Sequence, residues 1–168
     1  LKFHKKQKKV LTIDIENFFP NIKSSSVKEI FSDKGYSDIV AEYLSKLCCL
    51  KESLPQGAPT SPYISNIVLK EIDNKIGAYC VQNKIRYTRY SDDLAFSGDF
   101  DERVLLKMVT TLLKSNGFRL NKEKTRVMLG NERQYVTGII VNDKIQLSKK
   151  DRRDIRQALF YIKKYGID

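Results

Sequence analysis

The stretch Arg89-Tyr90-Ser91-Asp92-Asp93-Leu94-Ala95-Phe96-Ser97 constrains this chain more tightly than any other. Two runs of strand-forming residues, Ile85 to Tyr90 and Leu94 to Ser97, meet at a pair of adjacent carboxylates. Asp is depleted inside strands and favoured in turns, so the pattern predicts a β-hairpin with Asp92 and Asp93 at its tip. Adjacent like charges repel, and no turn requires two of them. Alone, the pair reads as a solvated turn. A third carboxylate far upstream changes that reading.

Asp14 lies in Val10-Leu11-Thr12-Ile13-Asp14-Ile15. The alternation predicts a strand with Leu11, Ile13 and Ile15 on one face and Val10, Thr12 and Asp14 on the other. A carboxylate in mid-strand is costly unless a cation or hydrogen bonds compensate it. With this strand beside the hairpin, three carboxylates converge with no Lys or Arg fixed among them. Such a set is a ready site for hard divalent cations, Mg²⁺ first among them.

At 168 residues the chain suits one domain with a real core. Its 31 Lys and Arg against 20 Asp and Glu give a net charge of +11, which points to a polyanionic partner, nucleic acid before a membrane surface. His4 is the only histidine, so Ser-His-Asp catalysis and His-based zinc sites are excluded. Cys48, Cys49 and Cys80 form no Cys-x-x-Cys pair and read as small core residues of a protein in the reducing cytoplasm. No apolar run approaches the roughly 18 residues of a membrane span. Residues 1–9 are a basic lead-in without Met, as in a segment cut from a longer polypeptide; its lysines are either a solvated edge or phosphate contacts.

Along the chain, Pro20 is expected to end regular structure after the first strand. Ser24, Ser25 and Ser26 offer caps for a helix over Val27 to Phe31, and Ser37 for a second helix to about Leu50. Ser53 to Pro62 is a Pro- and Gly-rich loop, and Ser61 with Pro62 opens one long helix to about Asn83, with Ile64, Ile67, Val68, Ile72 and Ile76 as its core stripe. Asp101 to Asn116 reads as an amphipathic helix stopped by Gly117. A short strand is expected over Arg126 to Leu129, and then a hairpin of Tyr135 to Val141 with Lys144 to Leu147 around Asn142-Asp143. Ser148 to Tyr165 reads as a basic amphipathic helix with Ile155, Leu159 and Ile162 on one side. The order predicts an α+β fold: an antiparallel sheet with helices packed mainly on one face.

Five blocks in this order resemble the palm domain of reverse transcriptases, most closely the bacterial retron-type branch related to group II intron enzymes. They are Asp14-Ile-Glu-Asn-Phe-Phe19, Leu54-Pro-Gln-Gly-Ala-Pro-Thr-Ser-Pro62, Tyr90-Ser-Asp-Asp93, Gly117-Phe-x-Leu-Asn-x-x-Lys-Thr125 and Val136-Thr-Gly-Ile139. Ser91 stands where the family usually has Ala, and Glu16 where it commonly has Lys. The fingers blocks that normally precede the first palm motif are absent, which implies a fragment inactive on its own.

The resemblance implies a palm over residues 1–147, with a short helical fingers-side insertion at about 24–52, and the beginning of a helical thumb at 148–168. It implies an RNA-directed DNA polymerase that joins a dNTP to a primer 3′-OH on an RNA template. Asp14, Asp92 and Asp93 would hold two Mg²⁺ ions, with Mn²⁺ as a substitute and the Ile15 carbonyl as a further ligand. Phe19, on sequence alone equally a core residue, would be the sugar gate. Gln56 and Gly57 would contact the incoming nucleotide. Lys124 would serve the triphosphate, where the bare sequence equally allows a solvated lysine. Tyr90, Val136, Thr137 and Gly138 would meet the primer, and Arg152, Arg153, Arg156, Lys163 and Lys164 would follow a nucleic-acid backbone or form a solvated face. A structured non-coding RNA is an implied partner, and a membrane is not. The competing expectations are another palm nucleotidyltransferase, such as an RNA-dependent RNA polymerase or nucleotide cyclase, and a catalytically idle RNA-binding scaffold.

Overall fold

A computed structural model describes residues 1–166, and at its centre lies the strand β1, Lys9–Glu16. β1 pairs antiparallel with β3, Asp93–Gly98, on one side and with β4, Arg119–Leu129, on the other. With β2, Arg86–Tyr90, beyond β3, the sheet order is β2-β3-β1-β4, all antiparallel. The alternation of β1 does what its sequence dictates. Leu11, Ile13 and Ile15 join Leu94 and Phe96 in the main core, each almost fully buried.

The helices cover that face. They are α1, Phe18–Asn21; α2, Ser24–Asp33; α3, Asp38–Cys48; α4, Ser61–Val68; α5, Lys70–Gln82; and α6, Glu102–Ser115. Ile64 of α4, Ile72 and Ile76 of α5, and Leu105, Val109 and Leu113 of α6 pack into the same core. On the opposite face Val10, Ala95 and Met128 meet Val136 and Val141 in a smaller cluster. There the chain forms a small ribbon of β5, Tyr135–Val136, and β6, Ile139–Ile140. The α+β expectation, with helices mainly on one face, therefore holds.

Several boundaries differ from the sequence expectation. Pro20 lies inside α1 instead of ending structure, because proline is tolerated in a helix's first turn. The serines at 24–26 sit inside α2, whose N-cap is Lys23, and Ser37 precedes α3 without a capping hydrogen bond. The long helix expected from Ser61 to Asn83 breaks at the fully buried Leu69, which takes the core position and leaves Ile67 46% exposed. Thr60 is its N-cap; the Ser61 hydroxyl donates instead to the Pro55 carbonyl at 2.7 Å. The expected strand at 126–129 extends back to Arg119, and the hairpin turn falls at Thr137-Gly138, with Gln146 only bridged to Ile140. Cys80 is buried, but Cys48 and Cys49 are only partly so.

The cap signals at α6 are satisfied: the Asp101 carboxylate accepts from the Arg103 and Val104 amides, and Gly117 follows at φ 80°. The last helix, α7, is Lys149–Tyr165, opened by the Ser148 hydroxyl accepting from the Asp151 amide. None of its residues is buried, and Ile155, Leu159 and Ile162 stand open on its surface. The last two positions of the 148–168 segment lie outside the described residues.

His4 is a structural residue of the lead-in. It is fully buried, and its ring nitrogens bond the Ser97 hydroxyl at 2.7 Å and the Thr88 hydroxyl at 2.8 Å, tying the N-terminal segment to β2 and β3. Burial, with nearby positive charge, lowers its pKa from 6.5 to about 4. The unfolded chain thus takes up a proton across that window which the folded chain refuses. Stability held by neutral His4 is complete above about pH 7 and drains away as the pH falls. The wild type should therefore lose more stability than His4→Gln between about pH 7 and pH 4.5 in urea melts. Equal losses would refute this.

Candidate active site

Register brings the remote carboxylates together. Asp14 on β1 is the direct cross-strand partner of Asp93 on β3. Opposed residues in an antiparallel pair point to the same face, with Cβ atoms about 4.5–5.5 Å apart. Tyr90 pairs with Asp93, so the loop between β2 and β3 is Ser91-Asp92. Asp93 accordingly opens β3, and only Asp92 of the pair sits in the turn. Ser91 has φ 54°, the left-handed backbone that a two-residue hairpin loop demands. The Ile15 amide donates to the Asp92 carbonyl at 3.0 Å, docking the turn against β1.

Two adjoining clefts share Asp14 and Lys124. The first, about 460 Å³, is lined by Asp14, Ile15, Phe19, Gln56, Asp92 and Lys124 among others. The second, about 210 Å³, is lined by Asp14, Asp93, Lys124 and the turn Val136-Thr137-Gly138. At Asn17, φ 47° reverses the chain from β1 into α1. Phe18 then enters the core, and Phe19 both packs on that core and faces the first cleft. Thr137 and Gly138 take φ 46° and 77°, the pair of positive values that a tight type I′ turn needs. Gly57, at φ 91°, and Tyr90, 75% exposed, lie outside both linings.

The expectation that no Lys or Arg is fixed among the carboxylates is overturned. The Lys124 ammonium donates to the Asp14 carboxylate at 3.0 Å. The cause is a bulge. Asp14 faces Asn121 on β4 while Thr12 faces Arg126, so four residues of β4 oppose one of β1. The Asn121 side chain accepts from the Glu123 and Lys124 amides, and the Thr125 hydroxyl donates to the Asn121 carbonyl, which shapes the bulge that presents Lys124.

Electrostatically the site remains negative. Burial raises the Asp93 pKa above the usual carboxylate value, Asp92 and Asp14 raise it further, and Lys124 opposes them. Lys124 in turn is held more firmly protonated by its bond to Asp14. Among the described residues no three His, Cys, Asp or Glu side chains already form a metal cage. The donors available are all hard carboxylate oxygens with an unneutralised charge, a set suited to Mg²⁺ or Mn²⁺ and to no soft metal.

Sequence reasoning missed the support behind the turn. Arg89 and Asp73 form an ion pair at 2.6 Å, with the Arg89 side chain only 6% exposed, and the Tyr87 hydroxyl donates to the same Asp73. The available signal was an arginine between aromatic residues in a strand, facing an acid on a helix otherwise read for its apolar stripe. A separate basic surface is formed by Lys149, Lys150, Arg152, Arg153 and Arg156 of α7. No helix among the described residues is long and apolar enough to cross a membrane.

Residues 1–154 match the reverse transcriptase (RNA-dependent DNA polymerase) family. The chain belongs to the reverse transcriptase family. It is 31% identical over 156 residues to Retron Ec86 reverse transcriptase of Escherichia coli, covering 91% of this chain and 49% of that protein. Against Retron Mx65 reverse transcriptase of Myxococcus xanthus it is 34% identical, covering 93% of this chain and 41% of that one. Retron Ec83 reverse transcriptase of Escherichia coli is 32% identical, with 96% and 57% covered. The chain thus spans about half the length of these reverse transcriptases.

The charge arrangement is checkable in solution. Asp14→Asn should move the Asp93 titration down toward the ordinary carboxylate value, and Lys124→Met should move it up, both followed by carboxyl-carbon NMR. Movement in the opposite sense in either variant would refute the arrangement.

Proposed function

We propose that the chain is the palm of an RNA-directed DNA polymerase, joining a dNTP to a primer 3′-OH on an RNA template. The carrying observation is the opposition of Asp14 and Asp93 across the middle of the sheet, with Asp92 docked beside them and a cleft on either side. Residues 1–147 would form the palm, with α2 and α3 on its fingers side, and residues from 148 onward would begin the thumb. Phosphoryl transfer needs alignment and charge neutralisation more than covalent chemistry, and two clefts meeting at a carboxylate, with Lys124 between them, suit that task.

Asp14, Asp92 and Asp93 would hold the divalent cations, with the Ile15 carbonyl as a further oxygen. When bound, Mg²⁺ supplies Lewis-acid stabilisation of the attacking and departing oxygens. The first cleft would take the nucleotide: Phe19 would occupy the space of a 2′-hydroxyl, and Gln56, on the loop pinned by Ser61, would contact the base or sugar. Gly57, outside the lining but next to Gln56, would let the loop backbone turn closely beside the nucleotide. The second cleft would take the primer end, gripped by Val136, Thr137 and Gly138, with Tyr90 exposed on the flank. The basic side chains of α7 would follow the nucleic-acid backbone, and the retron relatives support a structured non-coding RNA as partner.

The ion pair of Lys124 with Asp14 favours a second reading, an idle RNA-binding scaffold whose acid is already neutralised. Its exposure argues otherwise. The Lys124 side chain is 64% exposed and makes a single contact, so water competes for the ammonium, and a divalent cation with twice its charge can displace it from Asp14. Lys124 is then free to turn to the triphosphate.

In the full-length protein, Asp92→Asn should reduce dNTP incorporation by about a thousandfold or more while template-primer binding persists. Residual turnover near the wild-type rate would remove the proposal. Phe19→Val should raise ribonucleotide incorporation relative to dNTP, measured on the same RNA template. Unaltered sugar selectivity would return Phe19 to a packing role.

A further inference from the structure

Asp92 hangs on a two-residue loop between neighbours of its own charge, so the loop must be held from behind. Its restraint comes from the strand that leads into it. Nη1 of Arg89 donates to the carbonyl of Ser91, the residue immediately before Asp92, at 2.9 Å. The other side of the guanidinium is clamped by Asp73: Nε lies 2.9 and 3.1 Å from the two carboxylate oxygens, and Nη2 lies 2.6 Å from Oδ2. Asp73 is itself held, its Oδ1 accepting from the Tyr87 hydroxyl at 2.7 Å.

Both ends of this clamp are anchored in packed structure. The Tyr87 ring stacks on the buried Phe96, with centroids 5.0 Å apart and planes at 20°. Asp73 lies in the first turn of α5, and its amide donates at 2.8 Å to the carbonyl of fully buried Leu69. The helix break at Leu69 thus sets the height of Asp73 above the sheet. Contacts run without a gap from Leu69 through Asp73 and Arg89 to the Ser91 carbonyl.

The geometry uses what only arginine offers. A planar fork can grip a carboxylate with two nitrogens and still send a third to a carbonyl, whereas a lysine ammonium is a point charge. Ser91 needs that grip. Its left-handed backbone is unfavourable for a residue other than Gly or Asn and persists only where its surroundings impose it.

We propose that Arg89 is a positioning residue: clamped by Asp73, it fixes the Ser91–Asp92 peptide and thereby presents the Asp92 carboxylate for divalent-cation binding. The proposal rests on the reading of Asp14, Asp92 and Asp93 as a cation site. Arg89 touches no substrate; it acts through the turn.

The test is Mn²⁺ titration of the full-length protein without nucleic acid, comparing wild type with Arg89→Lys, Asp73→Asn and, as reference for a lost site, Asp92→Asn. Arg89→Lys keeps a buried cation against Asp73, and Asp73→Asn keeps the shape, so one variant covers for the other should either fold poorly. Each should weaken Mn²⁺ binding about tenfold or more while cooperative thermal melting and template-primer affinity are retained. The double variant should be no worse than the poorer single one, because both act through one strut. Wild-type Mn²⁺ affinity in folded Arg89→Lys and Asp73→Asn overturns the proposal, as does a wild type that binds no better than Asp92→Asn. Primer extension by the wild type runs alongside. Its absence together with the Mn²⁺ differences would sink the polymerase reading and uphold the strut.

Discussion

Asp14 and Asp93 face each other across neighbouring strands at the centre of the sheet, and Asp14 is only 7% exposed. Like charges directly opposed across a ladder destabilise it, and burial makes each charge dearer still. The arrangement survives because the strands that carry the acids are fixed on their other face. Leu11, Ile13, Ile15, Leu94 and Phe96 alternate with the site-facing positions and are locked beneath the helices. One residue of slip would place acids in the core and apolar side chains at the clefts, so the register that makes the core also makes the site.

This dependence explains which parts were legible in the sequence. Alternation along 10–15 and the two short runs around Asp92 specify strands, faces and a tight turn by local rules alone. The Asp101 cap and Gly117 stop are equally local, and α6 lies where they place it. The break at Leu69 has no glycine or proline to announce it; it arises where the core needs a side chain that an unbroken helix would turn away. The serines before α2 have capping chemistry, yet Ser24 spends its hydroxyl on Glu52 across a loop. Local signals fail where a distant partner outbids them.

The site divides in the same way. Its acids, Phe19, Gln56 and the 136–138 turn were recognisable as ordered blocks, and the structure gathers them around two clefts. Gly57 and Tyr90 lie in those blocks but outside the clefts, since a block marks a stretch of backbone and not each side chain's direction. Lys124 beside Asp14 depends on a bulge whose polar run, Asn121-Lys122-Glu123-Lys124, reads as loop in a one-dimensional pattern. As strand it is a charged sheet edge, which also protects that edge from pairing with other chains.

Arg89 and Lys124 are two cations placed beside the same acidic turn, and their different burial gives them different work. The Arg89 side chain is 6% exposed and bonds through three nitrogens, so it cannot leave without opening the packed structure around it and unpairing the partly buried Asp73. It is a fixed part of the frame. Lys124 is 64% exposed on a single contact from a bulged edge, so it can leave whenever a stronger cation arrives. On the proposed reading, in which the acids take up and release divalent charge, the two neighbours divide the work: one holds the acids in register whatever is bound, and the other screens them only while nothing is.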